Sequence, residues 1–409
     1  MQYVFYLLAA SLFTSKSALT LFSYLSILTG FYFFIKNYNH PETREKKIIF
    51  TFVGIYLLAI LANLFSLGGV DSAIKTAAIW IWPLFVFVAY YFCHHQDIFK
   101  KSLYVASVGL FLACVKSFWN FYHFWQSPQW SGFNADARIP AFWDVSRWSF
   151  FCCISLIVMV GFRFSKEFLK LKFWQRTYFY LLFFLTAISL FITGSRGPWI
   201  ATVIGLMLFI TLQTRSFKKI LLLGFGLIFV LVIAIMTSKD VSERLRSIVN
   251  IKIENGIITS NNISNAGRLH MWSVAWDYIR LRPLQPTGFE NTEQAYRQFL
   301  SDQGEDYQKK YLMSEFSLRD QHSSYVSLAV QFGLLYTVVL FGFVLFILLT
   351  TLISRVSEKD LFFTTCWSLT MTQMVIWIFY SSVLSYESLM LFLVLGLLVL
   401  MRPSQKVVI

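Results

Sequence analysis

The sequence predicts an all-α polytopic membrane protein of about twelve transmembrane helices, with one large, partly helical loop outside the membrane. Three observations carry this prediction. Of the 409 residues, 57% are hydrophobic and only 14% charged, where a soluble domain carries about 25% charged residues. Apolar runs of ~17–25 residues recur along the chain, each long enough to cross a hydrocarbon core about 30 Å thick. A segment that crosses lipid must satisfy its own backbone polar groups, which selects helices. Finally, a single polar interruption from about Met236 to His322 is long enough to fold as a layer outside the membrane.

Apolar spans fall near 3–14, 18–35, 49–66, 76–93, 103–124, 148–164, 178–194, 197–213, 220–237, 324–352, 361–381 and 384–401. The predicted division is therefore 1–237 (nine helices), 238–323 (the large loop) and 324–409 (three helices and a short tail). The first run, Tyr3 to Phe13, lacks a basic stretch before it and a clear cleavage site after it, so it reads as a retained short helix. Basic residues cluster in every second connector: Lys36, Arg44, Lys46 and Lys47; Lys100 and Lys101; Arg163, Lys166, Lys170, Lys172 and Arg176; Arg215, Lys218 and Lys219; Arg355 and Lys359; Arg402 and Lys406. Cytoplasmic loops accumulate Lys and Arg, which predicts that these connectors and both termini lie in the cytoplasm and that the large loop faces outward.

This asymmetry also accounts for the formal charge of +14, so no nucleic-acid partner is expected. The five cysteines lie in or beside apolar runs without C-x-x-C spacing and read as core residues. The chain shows no Walker A, H-E-x-x-H or G-x-S-x-G motif, and the acidic residues of the large loop show no metal-ligand spacing, so neither cofactor nor metal is expected. An outward site has no ATP or nucleotide sugar at hand. A reaction there needs a donor already activated, carried by the membrane.

Four residues are candidates for that chemistry. Arg196 stands in F-I-T-G-S-R-G-P-W, a tight outward connector in which Gly194, Gly197 and Pro198 predict a rigid turn. An arginine at this depth is costly unless it meets an anion or water, which makes it a functional-site hypothesis; the other reading is a snorkelling arginine on lipid phosphate. Arg268 lies in N-A-G-R-L-H-M-W-S-V-A-W-D-Y-I-R, an amphipathic helix by its apolar spacing, with Asn265 as the expected N-cap and Arg268 in the first turn. A helix N-terminus and a guanidinium fork both favour phosphate; a solvated charge on a surface helix also fits. His270 falls off the Arg268 face and reads as an interface residue.

His322, in R-D-Q-H-S-S-Y, is the last polar residue before the chain re-enters the membrane. Beside Arg196 and Arg268 its pKa would be pushed down, leaving the neutral imidazole that a general base requires; a structural histidine is the alternative. The outward loop 125–147 holds Arg138, a candidate phosphate or sugar contact, among tryptophans that read as an interface belt. A carboxylate pair acting on a glycoside stays open beside the simpler reading of the large loop as a solvated lid.

T-G-S-R at Arg196, A-G-R-L-x-M-W at Arg268 and H-S-S-Y with G-L-L downstream of His322, within a multi-spanning frame, resemble the bacterial O-antigen ligases of the O-antigen ligase and polymerase superfamily. D-A-R-I at Arg138 is similar as well. The resemblance implies a GT-C-like glycosyltransferase that moves glycan from undecaprenyl diphosphate to a sugar hydroxyl of lipid A-core. The reaction takes place at the periplasmic face of the bacterial inner membrane and is metal-independent and inverting. Arg196 and Arg268 would bind the diphosphate, and His322 would act as base or as a diphosphate ligand. Family members often carry H-N at the last motif, where this chain has Ser323. An O-antigen polymerase or a protein O-oligosaccharyltransferase would share the donor. The short tail after Met401 argues against the latter. A lipid or polysaccharide transporter would need intramembrane charges, for which Lys116 and Glu387 are the clear candidates within spans.

Overall fold

Membrane-length apolar segments fold here into a helical bundle capped at one end by a small helical layer. The computed structural model describes residues 1–38, 42–127, 138–214, 251–254, 257–260, 263–307, 321–355, 360–381 and 385–401. The first half comprises α1 (Gln2–Thr14), α2 (Lys16–Lys36), α3 (Thr43–Leu64), α4 (Gly69–Ile79), α5 (Val86–His94), α6 (Gln96–Trp125), α7 (Val145–Arg163), α8 (Lys166–Lys170), α9 (Phe173–Ile192) and α10 (Arg196–Thr214). A two-stranded antiparallel hairpin follows, β1 (Ile251–Glu254) with β2 (Ile257–Ser260). The remainder is α11 (Ile263–Leu281), α12 (Thr292–Gln303), α13 (Ser324–Gln331), α14 (Leu334–Arg355), α15 (Leu361–Phe379) and α16 (Glu387–Leu400).

Among the described residues nine helical stretches are long and apolar enough to cross a membrane, and α1 and α16 are shorter apolar helices. Eleven of the twelve predicted spans are thus matched by helices. The predicted span 220–237 lies outside the described residues.

Two spans depart from their predicted form. The run expected at 76–93 is instead a longer, broken helix: α4 starts at Gly69, stops at Ile79, and resumes through a 3₁₀ turn at Trp82–Phe85 into α5. Pro83 supplies no backbone N–H and cannot continue an α-helix from the preceding turn. The run expected at 324–352 is split into α13 and α14 at Phe332–Gly333, where Gly333 takes φ +86. Both breaks lie near the loop-bearing end of the bundle.

Lipid provides no hydrophobic drive between helices, so close packing and small residues hold them together. Helices α7 and α15 bury most of their length. At Gly161 of α7 an added Cβ would lie 2.4 Å from Thr365 Oγ1, and at Gly205 of α10 it would lie 2.0 Å from Thr372 Oγ1. Both threonines belong to α15, so these glycines set how closely α7 and α10 approach it. The five cysteines are all buried free thiols, as core residues should be. Trp143 and Trp148, in and beside the loop whose tryptophans read mostly as an interface belt, are buried in the core instead. The Trp148 indole donates to Ser117 Oγ at 3.2 Å and the Trp143 indole to the Leu12 carbonyl at 3.1 Å.

The layer at the loop-bearing end has a core of its own: Val274, Ala275 and Tyr278 of α11, Tyr296, Phe299 and Leu300 of α12, and Val330 of α13. Burial pushes the Tyr296 hydroxyl well above its ordinary pKa, so it stays neutral within this core. The segment between α11 and α12 latches the layer to the bundle. Leu67 N–H donates to the Pro286 carbonyl at 3.0 Å, Phe289 N–H to Asn63 Oδ1 at 2.6 Å, the Ser72 hydroxyl to the Phe289 carbonyl at 3.1 Å, and Thr287 N–H to the Val330 carbonyl at 2.8 Å. Gly288 sits in the middle of this latch at φ +94.

A Cβ at Gly288 would lie 2.5 Å from Ser72 Oγ and 2.6 Å from Ser66 Oγ, and the left-handed backbone adds ~1–2 kcal/mol for a non-glycine residue. Gly288→Ala is therefore expected to lower the melting temperature of the detergent-purified protein by several degrees. Gly342→Ala, in a helix and with nothing within 4 Å of an added Cβ, should leave it unchanged or raise it. Equal melting temperatures for the two variants would remove the latch from the account.

Candidate active site

The T-G-S-R motif is a turn fixed on both sides. Helix α9 ends at Ile192, Gly194 takes φ +64, and Arg196 is the first residue of α10. Thr193 Oγ1 donates to the Leu190 carbonyl at 2.7 Å and accepts from Ser195 N–H at 3.3 Å. Across the turn, the Trp199 indole donates to the same Leu190 carbonyl at 2.9 Å, and its ring stacks on Phe191 at 5.5 Å and 3°. The rigid turn is therefore Thr193–Ser195. Gly197 and Pro198 belong to the first turn of α10, where proline's missing N–H costs nothing.

Gly197 presses against α15, since an added Cβ would meet Phe379 Cβ at 2.8 Å. The same end of α15 receives the His322 segment. Ser323 Oγ donates to the Trp377 carbonyl at 3.4 Å and Ser324 Oγ to the Tyr380 carbonyl at 2.6 Å. Ser323 thus has a positioning contact in this fold.

His322 has φ +49. A left-handed non-glycine residue costs on the order of 1–2 kcal/mol and persists only where neighbours over-determine it, a condition concentrated at functional sites. Those neighbours are visible. The Gln321 carbonyl accepts from the Trp272 indole at 2.8 Å, its side-chain Oε1 accepts from Ser327 Oγ at 3.0 Å, and Ser323 and Ser324 hold the other side.

Trp272 ties in the third motif. It stands four residues after Arg268 on α11, on the same helix face. Helix α11 begins at Ile263, so Asn265 lies inside it and Arg268 is in its second turn. The expected help from an N-terminal dipole is correspondingly weaker there. His270, expected at an interface, is buried.

Arg138 is exposed, and the next residue is tied to the T-G-S-R turn, with Ile139 N–H donating to the Ile192 carbonyl at 3.3 Å. The backbone around all four candidate residues is therefore linked at one place, the loop-bearing end of α15 and α9. Guanidinium groups and an imidazole are donors suited to a charged oxyanion. Arg196, Arg268 and His322 are each partly exposed, as groups that meet a substrate must be.

Sequence reasoning missed a second polar cluster nearby. Arg147 pairs with Asp144 at 2.7 Å and approaches the buried Glu387 at 3.6 Å. Asp144 also caps α7, accepting from Ser146 and Arg147 N–H at 3.1 Å each. The D-x-x-R spacing signals the cap and the local pair. Nothing in the sequence signals the pairing with Glu387, far along the chain. Glu387, an intramembrane-charge candidate for transport, is thus the buried partner of an arginine.

Residues 181–347 match the family model described as O-antigen ligase. That stretch holds Arg196, Arg268 and His322 and leaves Arg138 outside. A search of curated proteins found no match to the chain. Members of the matched family are glycosyltransferase-like enzymes, and a membrane protein among them points to lipid-linked glycan substrates. Over residues 181–347, this polytopic helical membrane protein is similar to the O-antigen ligase family.

Proposed function

We propose that the protein is an O-antigen ligase, transferring glycan from undecaprenyl diphosphate to a sugar hydroxyl of lipid A-core and completing lipopolysaccharide at the periplasmic face of the inner membrane. The observation that carries this reading is the junction of three motif segments at the end of α15: Gly197 on Phe379, Ser323 on the Trp377 carbonyl, and Gln321 on Trp272. The alternation of basic connectors supports cytoplasmic termini and an outward layer spanning 238–323.

In this reading the acceptor hydroxyl attacks the anomeric carbon from the face opposite the diphosphate, so the configuration inverts. A new glycosidic C–O bond forms as the bond to the diphosphate breaks, and the diphosphate leaves with the electron pair. His322 takes the hydroxyl proton as general base. Arg196 and Arg268 neutralise the charge that grows on the leaving group, supplying the positive charge that a divalent ion supplies elsewhere. Arg138 contacts phosphate or sugar beside them. With base, acceptor and clamped diphosphate held together, positioning provides much of the acceleration.

In a transfer assay with purified protein, lipid-linked donor and rough lipopolysaccharide, Arg268→Ala is expected to lose ~100-fold or more of activity, as removal of one oxyanion donor does. His322→Ala should lose ~100- to 10,000-fold, both variants remaining in the membrane fraction. Wild-type rates from either would remove that residue from the mechanism. Arg196→Lys should be impaired as well, because a point charge does not replace a planar two-pronged donor; full activity there would favour the snorkelling reading. Transfer should persist in EDTA without added metal, and a strict requirement for a divalent ion would count against the arginine clamp.

A further inference from the structure

A cavity of about 410 Å³ opens at the loop-bearing end of the bundle, bounded by α2, the α4 break, the start of α7, the latch and the start of α16. Its volume lies within the ~300–1,000 Å³ of small-molecule sites. Lys16, Arg147, Tyr24, Tyr386, Trp82 and Phe289 line it, and none of the four candidate active-site residues does.

The charges in this wall are mixed. Arg147 is engaged by Asp144 and Glu387, Lys16 lies over the Tyr386 ring at 5.8 Å, and Glu290 adds a carboxylate to the lining. Such a balance gives no net pull on a diphosphate. It does offer charged donors, a charged acceptor and hydroxyls within one space, together with aromatic rings. Tyr386 packs on Trp82 at 5.6 Å and on Trp143 at 5.5 Å, so its ring is held in place. Ser23 and Trp82 also line the cavity, and each keeps a buried polar atom without a hydrogen-bond partner among the described residues. Aromatic faces beside paired donors and acceptors match a sugar ring, whose C–H faces are apolar and whose edges carry hydroxyls.

We propose that this cavity is a glycosyl-binding subsite, separate from the diphosphate-facing arginines, that takes uncharged sugar residues of one of the two substrates. Glu290 supports this assignment, since it holds φ +58 directly after the latch residue Phe289, and the strain places a carboxylate in the cavity wall. The subsite rests on the transferase reading for its role but not for its chemistry.

The test uses the full-length protein in detergent and three probes: lipid-free, dephosphorylated core oligosaccharide; a lipid-free O-polysaccharide fragment; and undecaprenyl diphosphate bearing no sugar. Binding is read by tryptophan fluorescence for wild type, Lys16→Ala, Glu290→Gln and the double variant. Lys16 and Glu290 are exposed, so the fold should tolerate both changes. One oligosaccharide is expected to bind wild type and to lose roughly tenfold or more affinity in the double variant, with undecaprenyl diphosphate unaffected. Core oligosaccharide as the binder assigns the subsite to the acceptor, and the O-polysaccharide fragment assigns it to the donor glycan. The proposal is overturned if wild type binds neither oligosaccharide, if the double variant binds as wild type does, or if that variant loses undecaprenyl diphosphate instead. Oligosaccharide binding without any undecaprenyl diphosphate binding by wild type would sustain the subsite and remove the transferase reading.

Discussion

The hydrogen bond from Phe289 N–H to the buried side chain of Asn63, 2.6 Å long, is the contact on which the arrangement at the loop-bearing end depends. Asn63 lies at the end of α3, and its amide also donates to the Ala59 carbonyl at 3.1 Å, so the side chain is fixed from both ends. A polar side chain at this depth is tolerated only when its hydrogen bonds are made. Meeting that demand draws the segment after α11 onto the α3–α4 corner. The same segment reaches Val330 through Thr287, which sets α13 and, through it, the backbone on which His322 stands.

The site is thus assembled by backbone and carbonyl contacts more than by its own side chains. Free carbonyls at the end of α15, at Trp377 and Tyr380, need donors because no further helical turn supplies them. Ser323 and Ser324 provide them, and in doing so they hold His322 in a conformation it would not otherwise keep. Close packing of Gly197 on Phe379 brings the start of α10 to the same place. Cations near the membrane surface are expensive unless water or an anion meets them, and the partly exposed arginines here stand at the border between bundle and layer.

Much of this was legible in the sequence, and the limits have physical causes. Membrane spans declare themselves because lipid demands some twenty apolar residues in one helix. Hydropathy does not register a break within an apolar run, so the predicted spans run straight through the interruptions at Trp80–Ile81 and Phe332–Gly333, although Pro83 and Gly333 mark both places in the sequence. Nor does it separate a tryptophan facing lipid from one facing protein, which is why Trp143 and Trp148 read as belt residues and lie in the core. The motifs around Arg196, Arg268 and His322 were readable as short residue combinations, but their junction was not, because the Gln321–Trp272 and Gly197–Phe379 contacts join residues distant in sequence. Asn265 is a good capping residue in isolation; the helix begins two residues earlier, an outcome local propensity does not decide.

On the proposed reading, this protein joins a lipid-linked glycan to lipid A-core. The most direct test is the gel mobility of lipopolysaccharide from a strain lacking the protein, with and without the wild-type chain restored. The account predicts unmodified core together with persisting undecaprenyl-linked glycan in the deficient strain, and a full ladder on restoration. Core carrying a single repeat would show a polymerase instead, and an unchanged ladder in the deficient strain would contradict the account altogether.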